Sequence, residues 1–153
     1  MRHHLSVELR TERLVLRPFR SDDVAAFEAF ARLDDYLRYL GPDHPAPEAL
    51  VANNLGVDGS WVIELDGRVV GSIFLGEELA CLLDPAVHRK GLGVEATAAV
   101  IDDGFERLGF EAIVARADPA NTASVRGMMS LGFVAEGNDW FRLVRADWRA
   151  GST

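Results

Sequence analysis

Leu79-Ala80-Cys81-Leu82-Leu83-Asp84-Pro85-Ala86-Val87-His88-Arg89-Lys90-Gly91-Leu92-Gly93-Val94-Glu95-Ala96 is the stretch that decides the fold of this chain. Its first five residues are apolar without interruption, the pattern of a central strand, and Pro85 ends it. Beyond Gly93 an alanine-rich segment places Ala96, Val100, Ile101, Phe105 and Leu108 at helical spacing, and Gly109 supplies the stop. Between strand and helix, Gly91 and Gly93 permit a tight turn that leaves several amide N–H groups pointing outward at a helix start. The helix dipole adds a partial positive charge there, and Arg89 and Lys90 add two full ones. A pyrophosphate is the natural occupant of such a place. The same string also fits an ordinary strand-to-helix loop that ends in glycines.

The pattern extends outward in both directions. Residues 111–117 form a strand after the helix, the return half of a strand-helix-strand unit and a parallel partner for the Cys81 strand. Asp118-Pro119-Ala120-Asn121 turns into a helix over residues 122–131, stopped by Gly132, and residues 133–136 and 140–144 make a last strand pair. Ala146-Asp147-Trp148 closes the chain's pattern. Upstream, Asp66-Gly67 is a hairpin turn between strands at residues 60–65 and 68–75, and Gly76-Glu77-Glu78 turns the chain into the central strand. Residues 13–17 alternate apolar and basic positions as a strand stopped by Pro18. Ser21-Asp22-Asp23 is expected to cap a helix that lays Val24, Phe27, Phe30 and Ala31 on a core. Pro42, Pro45 and Pro47 break the pattern between Asp34 and Asn54, with a short helix from Pro47; irregular segments of this kind often line a site, and Tyr36 and Tyr39 read as packing residues of a short helix in preference to substrate contacts.

At 153 residues there is room for one core. The expected fold class is α/β (α+β): a single domain over residues 1–153, ordered over about 11–148, with a mixed central β-sheet flanked by helices. A formal net charge of -8 argues against nucleic acid or an anionic membrane as partner of the whole surface and favours a cationic acceptor. A polyanionic ligand must therefore be caught locally. The single cysteine, Cys81, excludes an intramolecular disulfide, sits in an apolar run as a packing residue and suits a reducing, cytoplasmic setting. No apolar stretch approaches membrane-spanning length, and the four histidines lack metal-ligand spacing, so no metal is expected. His3 and His4 are assigned no role.

These elements in this order, with Arg89-Lys90-Gly91-Leu92-Gly93 between strand and helix, resemble the GNAT superfamily of acetyl-CoA-dependent N-acetyltransferases over nearly the whole chain. Thr11-Glu12-Arg13-Leu14-Val15-Leu16-Arg17 is similar to the opening strand of the branch that contains the ribosomal-protein N-terminal acetyltransferases. Residues 78–85 with Gly91-Leu92-Gly93-Val94-Glu95-Ala96 resemble its phosphate-loop region. Asn121-Thr122-Ala123-Ser124 with Leu131-Gly132-Phe133, and Leu143-Val144-Arg145-Ala146-Asp147-Trp148, resemble its second signature and its ending. Two departures stand out: His88 occupies the loop's usual Gln or Arg position, and Met128 stands where many relatives carry a tyrosine general acid.

The resemblance implies a parallel strand pair that splays at the cofactor site, where the backbone at Leu83 pairs with the pantetheine arm and a nearby N–H stabilises the oxyanion. It implies that the amides of His88, Arg89, Lys90, Gly91, Leu92, Gly93 and Val94 hold the pyrophosphate, and that Asn121 hydrogen-bonds the pantetheine or a water. Ser124 matches a cofactor contact and is equally a hydroxyl near a helix start. Glu78 is the candidate base, with Glu77 as substitute, unless both are solvated turn carboxylates; the acid role falls to Ser124, a water or unaided thiolate release. The implied cosubstrate is acetyl-CoA and the acceptor an amine, either a protein N-terminus or a small molecule, without a metal. Relatives of this type dimerise, and Trp140, Phe141 and Trp148 belong either to such an interface or to the core. A CoA-binding module without turnover is the alternative raised by Met128. A Rossmann nucleotide site lacks its third glycine, and no Gly-Lys-Ser/Thr string supports a P-loop.

Overall fold

A computed structural model describes residues 7–38, 40 and 43–148; Tyr39 and Pro42 lie outside them. The described strands form one eight-stranded sheet in the order β1-β2-β3-β4-β5-β6-β8-β7. They are β1 (Leu9–Arg10), β2 (Leu14–Arg17), β3 (Ser60–Leu65), β4 (Arg68–Leu75), β5 (Leu79–Leu83), β6 (Ala112–Arg116), β7 (Val134–Gly137) and β8 (Trp140–Val144). Helices α1 (Val24–Glu28), α2 (Asp34–Leu37) and α3 (Pro47–Asn54) precede β3; α4 (Leu92–Glu106) joins β5 to β6, and α5 (Thr122–Ser130) joins β6 to β7. This is the expected mixed α/β sheet.

The Asp66-Gly67 turn forms as the sequence predicts, with both residues in the left-handed region at φ 52 and 79, the twist a two-residue hairpin requires. Pro47 opens α3 at its first turn, and Gly109 and Gly132, at φ 78 and 99, follow the ends of α4 and α5. The one parallel pairing is β5 with β6, and it consists of a single register pair, Leu79 with Ala115. Along β4, in contrast, β5 is paired over its full length from Leu79 to Leu83. The two central strands therefore part after Leu79.

Helix α4 buries Ala96, Val100, Ile101 and Phe105 against Leu14, Leu16, Ile63, Ile73 and Ile113 on one face of the sheet. On the other face α1, α2 and α3 cover Phe19, Tyr36, Leu50, Val51 and Val62. Rings at Phe19, Phe27, Phe30 and Tyr36 form a chain of contacts with centroids 5.2 to 5.9 Å apart, so Tyr36 is a packing residue as expected. Phe141 is also core. Half-buried Trp148 packs against the same core and donates its indole N–H to Asp102 at 2.7 Å.

One expectation is corrected. Ser21-Asp22-Asp23 forms a 3-10 turn preceded by Arg20, and Asp23 points inward. Its carboxylate accepts from the Arg20 amide at 2.7 Å and takes two guanidinium donors from buried Arg17, whose Nε reaches Glu64 at 2.6 Å. A cation buried on β2 needs an anion beside it, and that demand outweighs a surface cap. β1, about which the sequence raises no expectation, is a two-residue strand on the sheet edge, too short to show a period.

Candidate active site

The geometry of the site begins with the alternation of β5. Asp84 donates its amide to Val70 at 2.7 Å, so the backbone groups of Leu82 and Ala80 face β4 and those of Cys81 and Leu83 face the opposite side. That side is the cleft left by the departure of β6. The amide edge at Cys81 and Leu83 is thus turned into a wedge rather than a ladder. Gly71 lets β4 follow β5 this closely, since a Cβ there would lie 2.2 Å from the Leu82 carbonyl oxygen.

At the foot of the wedge the chain makes a 3-10 turn over Pro85–Val87, with Asp84 accepting from the Ala86 amide at 3.0 Å. His88 differs from the other loop residues. Its amide is committed to the Pro85 carbonyl at 3.1 Å, and its ring Nε2 meets the Leu83 carbonyl at 3.1 Å. Arg89 and Gly91 both adopt left-handed backbone, at φ 67 and 76, and Gly91 caps α4 with no side-chain cap hydrogen bond among the described residues. Gly93 lies against Leu83, with 3.6 Å between its absent Cβ position and Leu83 Cδ1. The loop, the end of β5 and the uncapped start of α4 are one surface.

Helix α5 forms the adjoining wall. A Cβ on Gly127 would stand 3.1 Å from Val94, so the helices meet at that point. Ser124, one turn earlier on the same face, is half-buried, and its amide is capped by Asn121 Oδ1 at 3.2 Å. Met128 is packed into the core, 7% exposed, and has no proton to give.

Glu78 stands at the opposite end of β5 from the glycine loop, roughly 15 Å away at the rise of an extended strand. Its carboxylate lies 3.9 Å from Arg116 at the end of β6, and the Arg116 guanidinium is stacked 5.0 Å over the Trp140 ring. A cavity of about 220 Å³ opens beside this group, lined by Ala117, Pro119, Val125, Asp139 and Trp140. A larger one, about 620 Å³, lies under the proline-rich segment, among Glu28, Arg32, His44, Pro45 and Glu48. Burial there holds the His44 imidazole below its ordinary pKa. Cys81 is half-buried as a residue, but its thiol is packed beside Thr97 in the core and burial pushes it up to about 12. Among the described residues no cluster of His, Cys, Asp or Glu stands where it could hold a metal ion, and no helix is long and apolar enough to cross a membrane.

Residues 13–134 match the model of the acetyltransferase (GNAT) domain family. The chain belongs to the GNAT acetyltransferases. Its reaction class is acyl transfer. Over 93% of its length it is 26% identical to the uncharacterized N-acetyltransferase YnaD of Bacillus subtilis (strain 168), covering 99% of that protein. It superposes on a GNAT-family acetyltransferase from Bacillus anthracis with a TM-score of 0.81 at 24% identity, covering 90% of this chain and 98% of that one. It superposes on Mycobacterium smegmatis RimJ in complex with CoA-disulfide with a TM-score of 0.74 at 18% identity, covering 94% and 88%.

Sequence reasoning misses one part of this GNAT site. Arg13, in the bend immediately before β2, donates from Nη1 to the Lys90 carbonyl at 2.9 Å, from Nε to Glu95 at 2.7 Å and from its amide to Glu95 at 2.9 Å. Thr11 Oγ1 donates to the same carboxylate. Burial of Glu95 works against its ionisation, yet these donors and the Arg13 charge hold its carboxyl below the usual range. Thr11, Arg13 and Glu95 all stand in quoted motifs, but the contact spans 82 residues and no local spacing encodes it.

Proposed function

We propose that this chain transfers the acetyl group of acetyl-CoA to an amine by direct attack within a ternary complex. The observation that carries the reading is the wedge between β5 and β6, which ends at the uncapped, glycine-opened start of α4. The residues fit CoA: amides and two cations at one end suit a diphosphate, and an unpaired strand edge suits an amide-bearing arm. The amides from Lys90 to Val94 take the diphosphate, while His88, its amide spent, supports the wedge through the Leu83 carbonyl. The Leu83 and Cys81 amides pair with the arm and polarise the thioester oxygen. Asn121 has its Oδ1 on the Ser124 amide, which leaves its Nδ2 as the donor toward the arm. Bound acetyl-CoA supplies an activated acyl group and a thiolate leaving group.

The amine must attack unprotonated, and Glu78 is the group we assign to take its proton, directly or through a water. Glu78 has Arg116 opposite it, so the acceptor meets a carboxylate and a guanidinium stacked on Trp140 at that end of the wedge. Both a protein N-terminus and a small amine fit that pair, and a cytoplasmic setting suits the free thiol of Cys81. Ser124 or a water protonates the departing thiolate, since Met128 is buried and aprotic.

Calorimetric titration with acetyl-CoA, followed by thiol release over a panel of N-terminal peptides and small amines, tests the reading. Binding with release on some acceptor supports it. Binding without release over the panel replaces it by a CoA-binding module, and no binding overturns it. Glu78→Gln should lower kcat by about a hundredfold for loss of a general base, with cofactor affinity kept. Full activity in that variant removes Glu78 from the mechanism.

A further inference from the structure

We propose that Arg13 is a positioning residue of the cofactor's phosphate cradle, acting through its hydrogen bond to the Lys90 carbonyl and its ion pair with Glu95. The inference rests on the acetyl-CoA reading and adds a residue outside the loop to it. A loop that binds an anion through its amides must turn its carbonyls away, because a carbonyl oxygen facing a phosphate repels it. Arg13 Nη1 holds the Lys90 carbonyl at 2.9 Å on the side of β2, immediately before the left-handed Gly91. Nη2 of the same guanidinium lies 3.6 Å from the position a Gly91 Cβ would take, so the group is seated against the turn itself.

Glu95 gives Arg13 a second task. It lies in the first turn of α4, near the helix end that must receive a diphosphate, and a bare carboxylate there would compete with the ligand for the same dipole and amides. Arg13 Nε, the Arg13 amide and Thr11 Oγ1 all donate to it. The fixed fork of a guanidinium is what allows one side chain to serve the Lys90 carbonyl and the Glu95 carboxylate together, a geometry a lysine cannot reproduce. Arg13 thus sets the loop's shape and cancels the one acid on the first turn of α4.

The test is the Kd of CoA, measured by calorimetry, for the wild-type chain, Arg13→Ala, Arg13→Lys, Glu95→Gln and the double variant Arg13→Ala with Glu95→Gln, each with its thermal melt. Arg13→Ala should weaken CoA by about tenfold or more, the size of one charge-assisted hydrogen bond, and any smaller rise overturns the proposal. The double variant should bind CoA more tightly than Arg13→Ala, since the unpaired carboxylate is gone. Failure to recover overturns the charge-cancelling role. Glu95→Gln should lower Tm yet keep CoA affinity within about threefold, because the Lys90 bond survives; a purely structural clasp predicts affinity falling in step with Tm in both single variants. If Arg13→Ala does not fold, Arg13→Lys carries the same criterion. A wild-type chain that binds no CoA fails the acetyl-CoA reading itself and takes this inference with it, whereas tight wild-type binding with an indifferent Arg13→Ala fails this inference alone.

Discussion

Placing a carboxylate at residue 91 separates the shape of the proposed phosphate loop from its charge. Gly91 has φ 76, and the nearest atom to a Cβ built there is Arg13 Nη2 at 3.6 Å, an ordinary contact. Any side chain at this position costs backbone strain of about 1 to 2 kcal/mol, and Asn and Asp accept the left-handed region with the least difficulty. Gly91→Asn and Gly91→Asp therefore share their strain and their volume and differ by one charge. For one unit of phosphate charge on the order of 5 Å from the new carboxylate, an effective dielectric of about 20 gives a repulsion of about 3 kcal/mol, a factor of roughly 200 in Kd. Arg13, already engaged by Glu95, offsets part of it, which leaves a loss of at least about tenfold for Asp relative to Asn. Calorimetry with CoA on both variants, with melts to show equal stability, measures the difference. Equal Kd values in the two variants would mean that no phosphate sits on this loop.

Three further outcomes follow from the packing. Asp23→Ala leaves Arg17, its side chain 5% exposed, with Glu64 as its only carboxylate partner, and should cost about 3 kcal/mol in urea unfolding, the lower end for breaking a buried pair. Ser72 is fully buried between Val62 and Leu82 with no partner for its hydroxyl among the described residues, so Ser72→Ala should leave the urea midpoint unchanged or raise it. Because the Glu95 carboxyl is held below its ordinary value, its contribution to stability is full above about pH 5 and drains as pH falls through the folded value, where the unfolded chain takes up the proton first. Glu95→Gln should flatten the fall of the urea midpoint over that acid range, and an unchanged curve refutes the assignment.

What was legible in the sequence was what short-range physics encodes. The Asp66-Gly67 turn, the glycine stops at Gly109 and Gly132, and the helical stripe from Ala96 to Phe105 form where the spacing puts them, because each is decided within a few residues. The inward turn of Asp23 was not legible, because the buried Arg17 that draws it in is a tertiary fact and a surface cap has the same letters. The loop residues were found as a string, yet the commitment of the His88 amide to Pro85 and the separation of Glu78 from the loop by the length of β5 appear only with the backbone in place. Arg13 escaped for the same reason: the alternation expected over residues 13–17 accounts for it as a basic strand residue, and its partners lie on another element.

A chain of net charge -8 can hold a polyanion only if the acids near the site are disarmed, and both acids that flank this loop are. Asp84 is spent on the Ala86 amide and Glu95 on Thr11 and Arg13, so the surface they leave behind consists of amides, Arg89 and Lys90. At the far end of β5 the arrangement is different. Glu78 is partly exposed and meets Arg116 only at 3.9 Å, a separation at which each remains available to a third charged group. One strand thus carries an anion-accepting end and an end able to receive an amine, with the wedge between them sized by the five residues of β5. On the proposed reading, an amine approaching along the acidic exterior would be drawn to the Glu78 end and kept off the loop by Arg89 and Lys90, so that one charge distribution would sort the two substrates to opposite ends of one strand.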